Sequence, residues 1–151
     1  MNTRQKNIVR NFIFVIAITL AAVVAMIHFR DYVNRKEAML AMRQFGAVVM
    51  KYRQDHGSVP AKFQLDGIKK KIEGGARLGI ISYRARWIEF GASDDEILAY
   101  TPKNYSGLIF GDGYIVLRLD GKVEWMKKNE FDKLLDSQQS QEEQKLGDEQ
   151  L

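Results

Sequence analysis

The chain contains no cysteine and only two histidines among its 151 residues. The missing cysteines exclude disulfide bonds, zinc sites built on thiolates and cysteine nucleophiles. The two histidines, His28 and His56, are too few for a metal site built on histidines alone, and the sequence around them shows no catalytic constellation. The fold must therefore rest on its hydrophobic core.

Polar residues are almost missing between Phe12 and Ile27, where Thr19 is the only one. Arg10 and Arg30 bracket a nineteen-residue segment, which is close to the ~20 residues that a helix needs to cross a bilayer. A surface helix of a small soluble domain would show a polar face, and this segment has none. We therefore predict a transmembrane helix over 12–29, after a leader over 1–11, with the lipid bilayer as its partner.

The basic residues do not decide the orientation of this helix, because both flanks carry three of them. Long domains translocate largely regardless of charge, so we expect a cytoplasmic N-terminus, an inner (cell) membrane location and a C-terminal domain exported to the periplasm. The alternative is a cleavable signal peptide, cut before Met26, that would release a secreted domain. The apolar run continues through Ile27 and favours the anchor.

The helix is predicted to continue beyond the membrane to about Asp55, because Gly46 is the only glycine between Arg30 and Gln54 and proline is missing there. Apolar residues recur at helical spacing in this half, and we expect them to pack on the exported domain. They are Ala38, Met42, Phe45 and Val49. The small residues Ala38, Ala41 and Gly46 also predict a face for close approach of a partner membrane helix.

The remaining residues predict a small antiparallel sheet. The stretches "IISYRARWIEF" (80–90) and "EILAYTP" (96–102) predict two strands, and a hairpin joins "YIVLRL" to "KVEW" at Asp120-Gly121. A short helix capped by Asn129 is expected to follow. The fold class is α+β: one long N-terminal helix packed on a small antiparallel sheet, with the exported domain over 30–136.

The tail over 137–151 contains four acids, one lysine and almost no apolar residue. Such a composition cannot bury enough apolar surface to offset the entropy of ordering, so we expect this segment to be disordered.

Glycines and acids cluster in "FGDGYIVLRLDGKVEW" (110–125). Their spacing matches neither a P-loop nor a dinucleotide fingerprint nor an EF-hand, and we interpret the stretch as a turn and a hairpin. Acids of a loop can also hold Ca²⁺, and Asp94, Asp95 and Asp112 are weak candidates; a solvated acidic turn is the favoured interpretation. We expect no cofactor and no enzymatic activity.

Basic and aromatic residues alternate at Arg84, Arg86 and Trp87, and Lys69–Lys71 form a basic run. Such patterns bind nucleic acid or anionic lipid. An exported domain meets little nucleic acid, so we expect none as a partner. The pattern leaves an alternative function open, a membrane-anchored binding module that holds a cell-envelope ligand on this surface.

Three features together resemble a bacterial type IV pilin-like or type II secretion pseudopilin protein. The apolar helix begins at a phenylalanine ("FIFVIAITLAAVVA") and continues into an amphipathic half. The turn "YRQDHGSVP" has the Y-x-x-D-x-G-x-x-P spacing that is similar to the turn after the long helix of pseudopilins, with Val59 where an aromatic is usual. Its motif residues are Tyr52, Asp55, Gly57 and Pro60.

The third feature is the C-terminal hairpin and helix, which resemble those of a pilin-like family with an H-x9-D-G signature. Asp120, Gly121 and Trp125 match it, whereas Phe110 and Lys122 stand where that family has histidines. Two other positions depart from pilin precursors. Asn11 replaces the glycine before the helix phenylalanine, and Ile16 replaces the glutamate at the fifth position of the processed chain.

The resemblance implies a non-enzymatic scaffold or assembly protein of an envelope or secretion apparatus. Its implied partners are other membrane or pilin-like subunits, contacted through the N-terminal helix. The two departures remove the glycine that a prepilin peptidase uses and the glutamate linked to filament packing.

Overall fold

The computed structural model describes residues 2–89, 91–105 and 111–148, with 146–148 described by their backbone alone. Within these ranges the chain forms an α+β fold, as the sequence predicts. Its elements, in chain order, are α1 (Thr3–His56), α2 (Lys62–Lys71), a 3₁₀ turn (Gly75–Leu78), β1 (Ser82–Tyr83), β2 (Ile97–Lys103), β3 (Gly113–Arg118), β4 (Val123–Lys127), α3 (Lys128–Gln138) and α4 (Gln141–Asp148).

The first helix, α1, runs without a break for 54 residues, which makes it about 80 Å long at 1.5 Å per residue. It begins at a capping box, in which the Asn2 backbone N–H donates to the Gln5 side chain over 3.1 Å. It ends where Gly57 adopts a left-handed φ of 70° and donates its N–H to the Arg53 carbonyl over 2.8 Å. Glycine reaches that conformation without strain, which explains the stop at this point.

The sheet is antiparallel, with its strands in the order β1-β2-β3-β4. Alternate residues of β3 face opposite sides, so Ile115 and Leu117 join the core beneath α1, whereas Val116 packs with Phe131 of α3. The sheet therefore lies between α1 on one face and α3 on the other. This three-layer arrangement explains why "YIVLRL" is nearly uniformly apolar.

The outer half of α1 buries the predicted stripe against the sheet. Ala38, Met42, Phe45 and Val49 are each at most 1% exposed. At Gly46, an added Cβ would lie 2.7 Å from Leu117 Cδ1, so the backbone approaches the sheet closely. Ala38, Ala41 and Gly46 thus contact this chain's own domain, and the prediction that they face a partner helix is wrong.

The first predicted strand is shorter than expected. Ser82 and Tyr83 pair with β2, and the Arg84 N–H adds one hydrogen bond to the Leu98 carbonyl of β2 over 2.8 Å. The chain then turns, because the Trp87 N–H donates to the Arg84 carbonyl over 2.8 Å. Phe90, which was included in that strand, lies outside the described residues. The cap of α3 also differs, since Lys127 rather than Asn129 precedes the helix and β4 leads straight into it.

The predicted hairpin forms between β3 and β4, with a loop one residue longer than a two-residue turn. The Gly121 N–H donates to the Arg118 carbonyl over 3.0 Å, and the Arg118 N–H donates to the Lys122 carbonyl over 2.9 Å. Within this loop, Gly121 alone takes a positive φ, of 88°. This is the geometry of a type I turn followed by a left-handed glycine.

The tail is not disordered in the part that the structure describes. Its residues continue α3 to Gln138 and then form α4. The Glu143 carboxylate of α4 pairs with Arg84 of the domain over 2.7 Å, which holds the tail in place. The prediction of disorder considered only apolar residues, so it did not include this polar contact. Residues 149–151 lie outside the described ranges.

Candidate functional site: the exposed apolar helix and its junction with the domain

The first half of α1 carries a continuous apolar surface. Its most apolar 18-residue window has a mean hydropathy of 2.7, and none of that window is buried. Every described residue from 2 to 27 is exposed. Phe12, Phe14, Leu20 and Met26 each expose 61% or more of their surface. No described part of the chain covers these side chains.

The one polar residue of the run is satisfied within the helix. The Thr19 hydroxyl donates to the Val15 carbonyl over 2.9 Å. A bilayer core offers no water to pair with a hydroxyl, so internal hydrogen bonds are what a spanning helix requires. By length, composition and internal pairing, this half of α1 is able to cross a membrane.

Charged and aromatic side chains meet where the apolar surface ends. Asp31 is only 3% exposed, and its carboxylate lies 3.7 Å from the Arg30 guanidinium. One turn further along the helix, the guanidinium carbon of Arg35 lies 4.7 Å from the ring centroid of Trp125. The Tyr105 ring packs on the same tryptophan at 5.6 Å. We call Asp31, Arg35, Tyr105 and Trp125 the junction cluster.

Two charges of the junction cluster, those of Asp31 and Arg35, act on the pKa of its tyrosine, Tyr105. Burial raises the pKa of the Tyr105 hydroxyl above its ordinary value, the Arg35 charge opposes that rise, and the Asp31 charge adds to it. Within the described part of the chain, neither the Tyr105 hydroxyl nor Nδ1 of His28 finds a hydrogen-bond partner, although both are buried. Aromatic rings with one polar end are typical of the membrane–water interface.

The turn motif after α1 connects the helix to the sheet. Tyr52 stacks on His56 with ring centroids 4.0 Å apart, and Gly57 ends the helix. The buried Pro60 accepts a hydrogen bond at its carbonyl from the Tyr83 hydroxyl of β1 over 2.9 Å. Asp55 is exposed. The role of these motif residues in the structure is to join two elements.

The calcium candidates do not come together. Asp94 accepts a hydrogen bond at its carbonyl from the Asp120 N–H, beyond the C-terminal end of β3, whereas Asp112 precedes the first residue of that strand. The length of β3, at about 3.3 Å per residue, separates them by roughly 20 Å. The expectation that Asp112 joins Asp94 and Asp95 is wrong. Among the described residues, no group of three histidines, aspartates or glutamates is placed to hold a metal ion.

The basic and aromatic surface is also different from the prediction. Arg84 is 3% exposed, and its guanidinium is enclosed by Glu143 and by the carbonyls of Ile97 and Gln138. Arg86 remains exposed and lies 5.1 Å over the Trp87 ring. Arg84 is therefore a buried cation and not part of an open ligand surface.

Sequence reasoning missed three buried charged residues, Asp31 and the ion pair of Arg84 with Glu143. Arg84 and Glu143 are 59 positions apart, and no local pattern links residues at that separation. Asp31 lies four residues after Ile27, the end of the apolar run, where a charge is expected to be solvated. Only the structure shows that the domain covers it.

Comparison with known proteins finds no protein-family model that matches this chain, no similar curated protein and no similar solved structure.

Proposed function

We propose that this chain is a non-enzymatic, single-pass membrane protein whose exported, pseudopilin-like domain acts in assembling or scaffolding an envelope or secretion apparatus. The observation that carries the proposal is the bare apolar surface of α1 before Arg30. An apolar patch of this length on a soluble monomer is unusual, and a bilayer is the partner that fits it. The three sequence features shared with pseudopilins supply the class of apparatus.

The proposed orientation places residues 1–11 in the cytoplasm and the domain in the periplasm, with the junction cluster at the outer surface of the inner membrane. The position of Arg35 and Trp125 supports this arrangement, because a cation and an aromatic ring pack together just beyond the last apolar turn. In this orientation α1 is both the anchor and the spine of the domain, and partner subunits contact its exposed apolar half.

Membrane anchoring is tested with two matched double variants of the full chain. Ile16→Arg with Leu20→Arg charges the exposed apolar half, whereas Leu40→Arg with Val48→Arg charges exposed positions of the outer half. An arginine at a span centre costs about 2.5–3.5 kcal/mol of insertion free energy. We expect the first variant to leave the membrane pellet on alkaline extraction, and the wild type and the second variant to stay.

Recovery of the full-mass wild type in the soluble fraction would contradict the anchor. A native chain that begins at Met26 would instead identify a secreted domain, released by cleavage of a signal peptide.

Assembly is tested by cysteine scanning, which the cysteine-free chain permits without background. Single cysteines placed along 13–27 are oxidised in native membranes, and the yield of linked dimers is measured at each position. We expect yields that peak every three to four residues, because a specific helix–helix contact uses one face. Uniform or missing yields, with membrane integration intact, would contradict the scaffold and favour an anchored binding module.

A further inference from the structure

Arg84 is a cation that the fold buries almost completely and then neutralises with a residue from the tail. Its Nε donates to Glu143 Oε1 over 2.7 Å and its Nη2 to Glu143 Oε2 over 2.9 Å, a two-pronged carboxylate contact. The Ile97 carbonyl accepts from Nη1 over 2.9 Å. Glu96 lies further away, with its carboxylate 3.6 Å from Nη2. Glu143 is therefore the main counter-charge.

The tail is bound to the domain up to Gln138, and its described contacts with the domain are fewer after that residue. The Gln138 side-chain oxygen accepts from the Ile97 N–H over 2.9 Å, and its carbonyl accepts from Arg84 Nη2 over 3.0 Å. Only Gln139 and Ser140 then lead to α4. The Ser140 hydroxyl accepts the Glu143 N–H over 3.2 Å and so caps the helix from within.

The described side chains of α4 contact the domain mainly through one group. Gln141, Glu142, Gln144 and Lys145 are exposed, whereas Glu143 is only 7% exposed. Among its described side chains, 141–145, this short, self-capped helix presents a single carboxylate to the recess around Arg84. The described side chains of α4 are all polar, so they lose little apolar contact when the helix leaves, which favours exchange.

We propose that the recess around Arg84 is a carboxylate receptor that accepts Glu143 either from its own chain or from a second copy, so that neighbouring copies exchange α4. The two occupants make the same contacts, since they are the same residue on the same helix. A buried guanidinium stripped of its partner is strongly unfavourable, which requires that one α4 replaces another. The inference rests on the proposed function only in that a membrane holds copies side by side.

A short link between α4 and Gln138, which is bound to the domain, permits such exchange. The link of Gln139 and Ser140 gives the chain's own α4 a millimolar effective concentration. A second copy has to reach a similar local concentration to compete with it, which side-by-side confinement in a membrane would supply. Exchange in dilute detergent is expected to be rare for the same reason.

The receptor is tested by fluorescence on the full chain in detergent micelles. Trp125→Phe leaves Trp87 as the only tryptophan. The backbone N–H of Trp87 donates to the Arg84 carbonyl over 2.8 Å, so this residue lies next to the receptor arginine in the chain fold. Glu143→Gln is added to weaken the internal occupant. The probe is a synthetic peptide of residues 137–148, titrated into the millimolar range. Two control peptides carry Glu143→Gln or, at the exposed neighbour, Glu142→Gln.

We expect saturable binding of the unaltered peptide and of the Glu142→Gln peptide with similar affinity. The Glu143→Gln peptide should bind at least about tenfold more weakly. A chain that retains Glu143 should also bind the unaltered peptide at least about tenfold more weakly, because its recess is occupied. Equal binding of all three peptides, or no binding in this range, would overturn the receptor.

Exchange between copies is tested separately in membranes that contain two variants. The acceptor carries Glu143→Gln and Arg86→Cys, and the donor carries Gln144→Cys, since Arg86 and Gln144 line the same cleft. We expect donor–acceptor disulfides, and their loss when Glu143→Gln is added to the donor. Disulfides that do not depend on the donor's Glu143 would overturn exchange. The peptide assay does not require assembly. The proposed receptor and the proposed scaffold function can therefore be contradicted independently.

Discussion

At Gly113, the first residue of β3, the sheet leaves no room for a β-carbon. An added Cβ would overlap the Met126 carbonyl oxygen and the indole ring of Trp125. The first of these is backbone, which cannot turn aside, and the second belongs to the junction cluster. Gly67 in α2 is the opposite case, because nothing lies within 4 Å of an added Cβ there.

We therefore predict opposite effects of the same substitution at these two glycines. Gly113→Ala should lower the free energy of unfolding by about 1–3 kcal/mol through overpacking. Gly67→Ala should raise it by about 0.5–1 kcal/mol, because alanine reduces the entropy that a helical residue loses on folding. Chemical denaturation of the full chain in detergent, followed by near-ultraviolet circular dichroism, measures both. A shift of the same sign in both variants would contradict the close packing at Gly113.

The tyrosine hydroxyls predict how stability changes in alkali. Burial raises the pKa of Tyr83 far above its ordinary value of 10.0, and burial also raises the pKa values of Tyr105 and Tyr114. The unfolded chain loses these protons near pH 10 while the folded chain keeps them. The folded state then binds more protons, so stability is fully present below pH 10 and falls as the pH rises above it.

Lys103 acts in the opposite direction over a lower range. Burial lowers its pKa below 10.5, and the Lys69 charge adds to that effect. The unfolded state binds more protons there, so this residue raises stability with pH until its ordinary pKa is passed. Above that pH only the tyrosine effect remains, and the net change should be a decrease.

Tyr83→Phe should flatten this alkaline decrease. The variant loses the hydrogen bond to the Pro60 carbonyl, which costs about 1 kcal/mol at neutral pH, but it no longer carries the hydroxyl whose pKa is raised most. Free energies of unfolding measured at a series of pH values from neutral to alkaline give the two slopes. A variant that loses stability in alkali as steeply as the wild type would contradict the role assigned to Tyr83.

At the scale of elements, α1 divides into a half that no described residue covers and a half that contributes to the core. Both halves could be predicted from the sequence, because each depends on a local pattern. The uniform apolar run before Arg30 predicts a surface without a polar side. The 3.6-residue recurrence of Met42, Phe45 and Val49 predicts a single buried stripe, and the structure buries it.

The parts that sequence reasoning missed depend on distant residues. The tail was expected to be disordered because its composition lacks apolar side chains, yet Glu143 meets Arg84 across 59 positions. The strand expected over 80–90 ends after Tyr83, since the chain turns to bring Arg84 inward. Asp94 and Asp112 were weak candidates for one calcium site, and the length of β3 separates them. No local periodicity encodes any of these three relations.

The buried stripe of α1 (Ala38, Met42, Phe45 and Val49) should hold the domain on the helix. Phe45 is fully buried and Leu40 is 55% exposed on the same helix, so they form a matched pair. Phe45→Asp places an unpaired charge in the core, which we expect to release the domain from α1 and to expose the β2–β3 region to protease. Leu40→Asp should leave protection unchanged. Equal protection of wild type and Phe45→Asp in limited proteolysis would contradict this packing.

At the scale of the whole molecule, the proposed anchoring makes α1 the element that sets how far each part of the domain lies from the membrane. Trp125 contacts Arg35, just beyond the apolar half. Trp87 lines a cleft with Arg53 near the other end of the helix. The two arginines are separated along the helix axis by roughly 27 Å, at 1.5 Å per residue. The two tryptophans of the chain therefore mark the near and far ends of the domain.

This geometry predicts unequal quenching of the two tryptophans by spin-labelled lipids. Two single-tryptophan variants, Trp87→Phe and Trp125→Phe, are placed in vesicles with a label at the lipid headgroup, and fluorescence is compared with that in unlabelled vesicles. The chain with Trp125 alone should be strongly quenched, because the proposed orientation places the junction cluster at the interface. The chain with Trp87 alone should be nearly unaffected, because short-range quenching does not reach across the length of the domain.

A soluble quencher added from outside the vesicles separates depth from simple exposure. Trp87 should respond to it more strongly than Trp125, which reverses the order seen with labelled lipid. Equal lipid quenching of both residues would mean that the domain lies flat on the bilayer, and the upright rod would be wrong. Quenching of neither residue, in a chain that stays with the membrane, would place the end of the span before Arg30 and the junction cluster away from the interface.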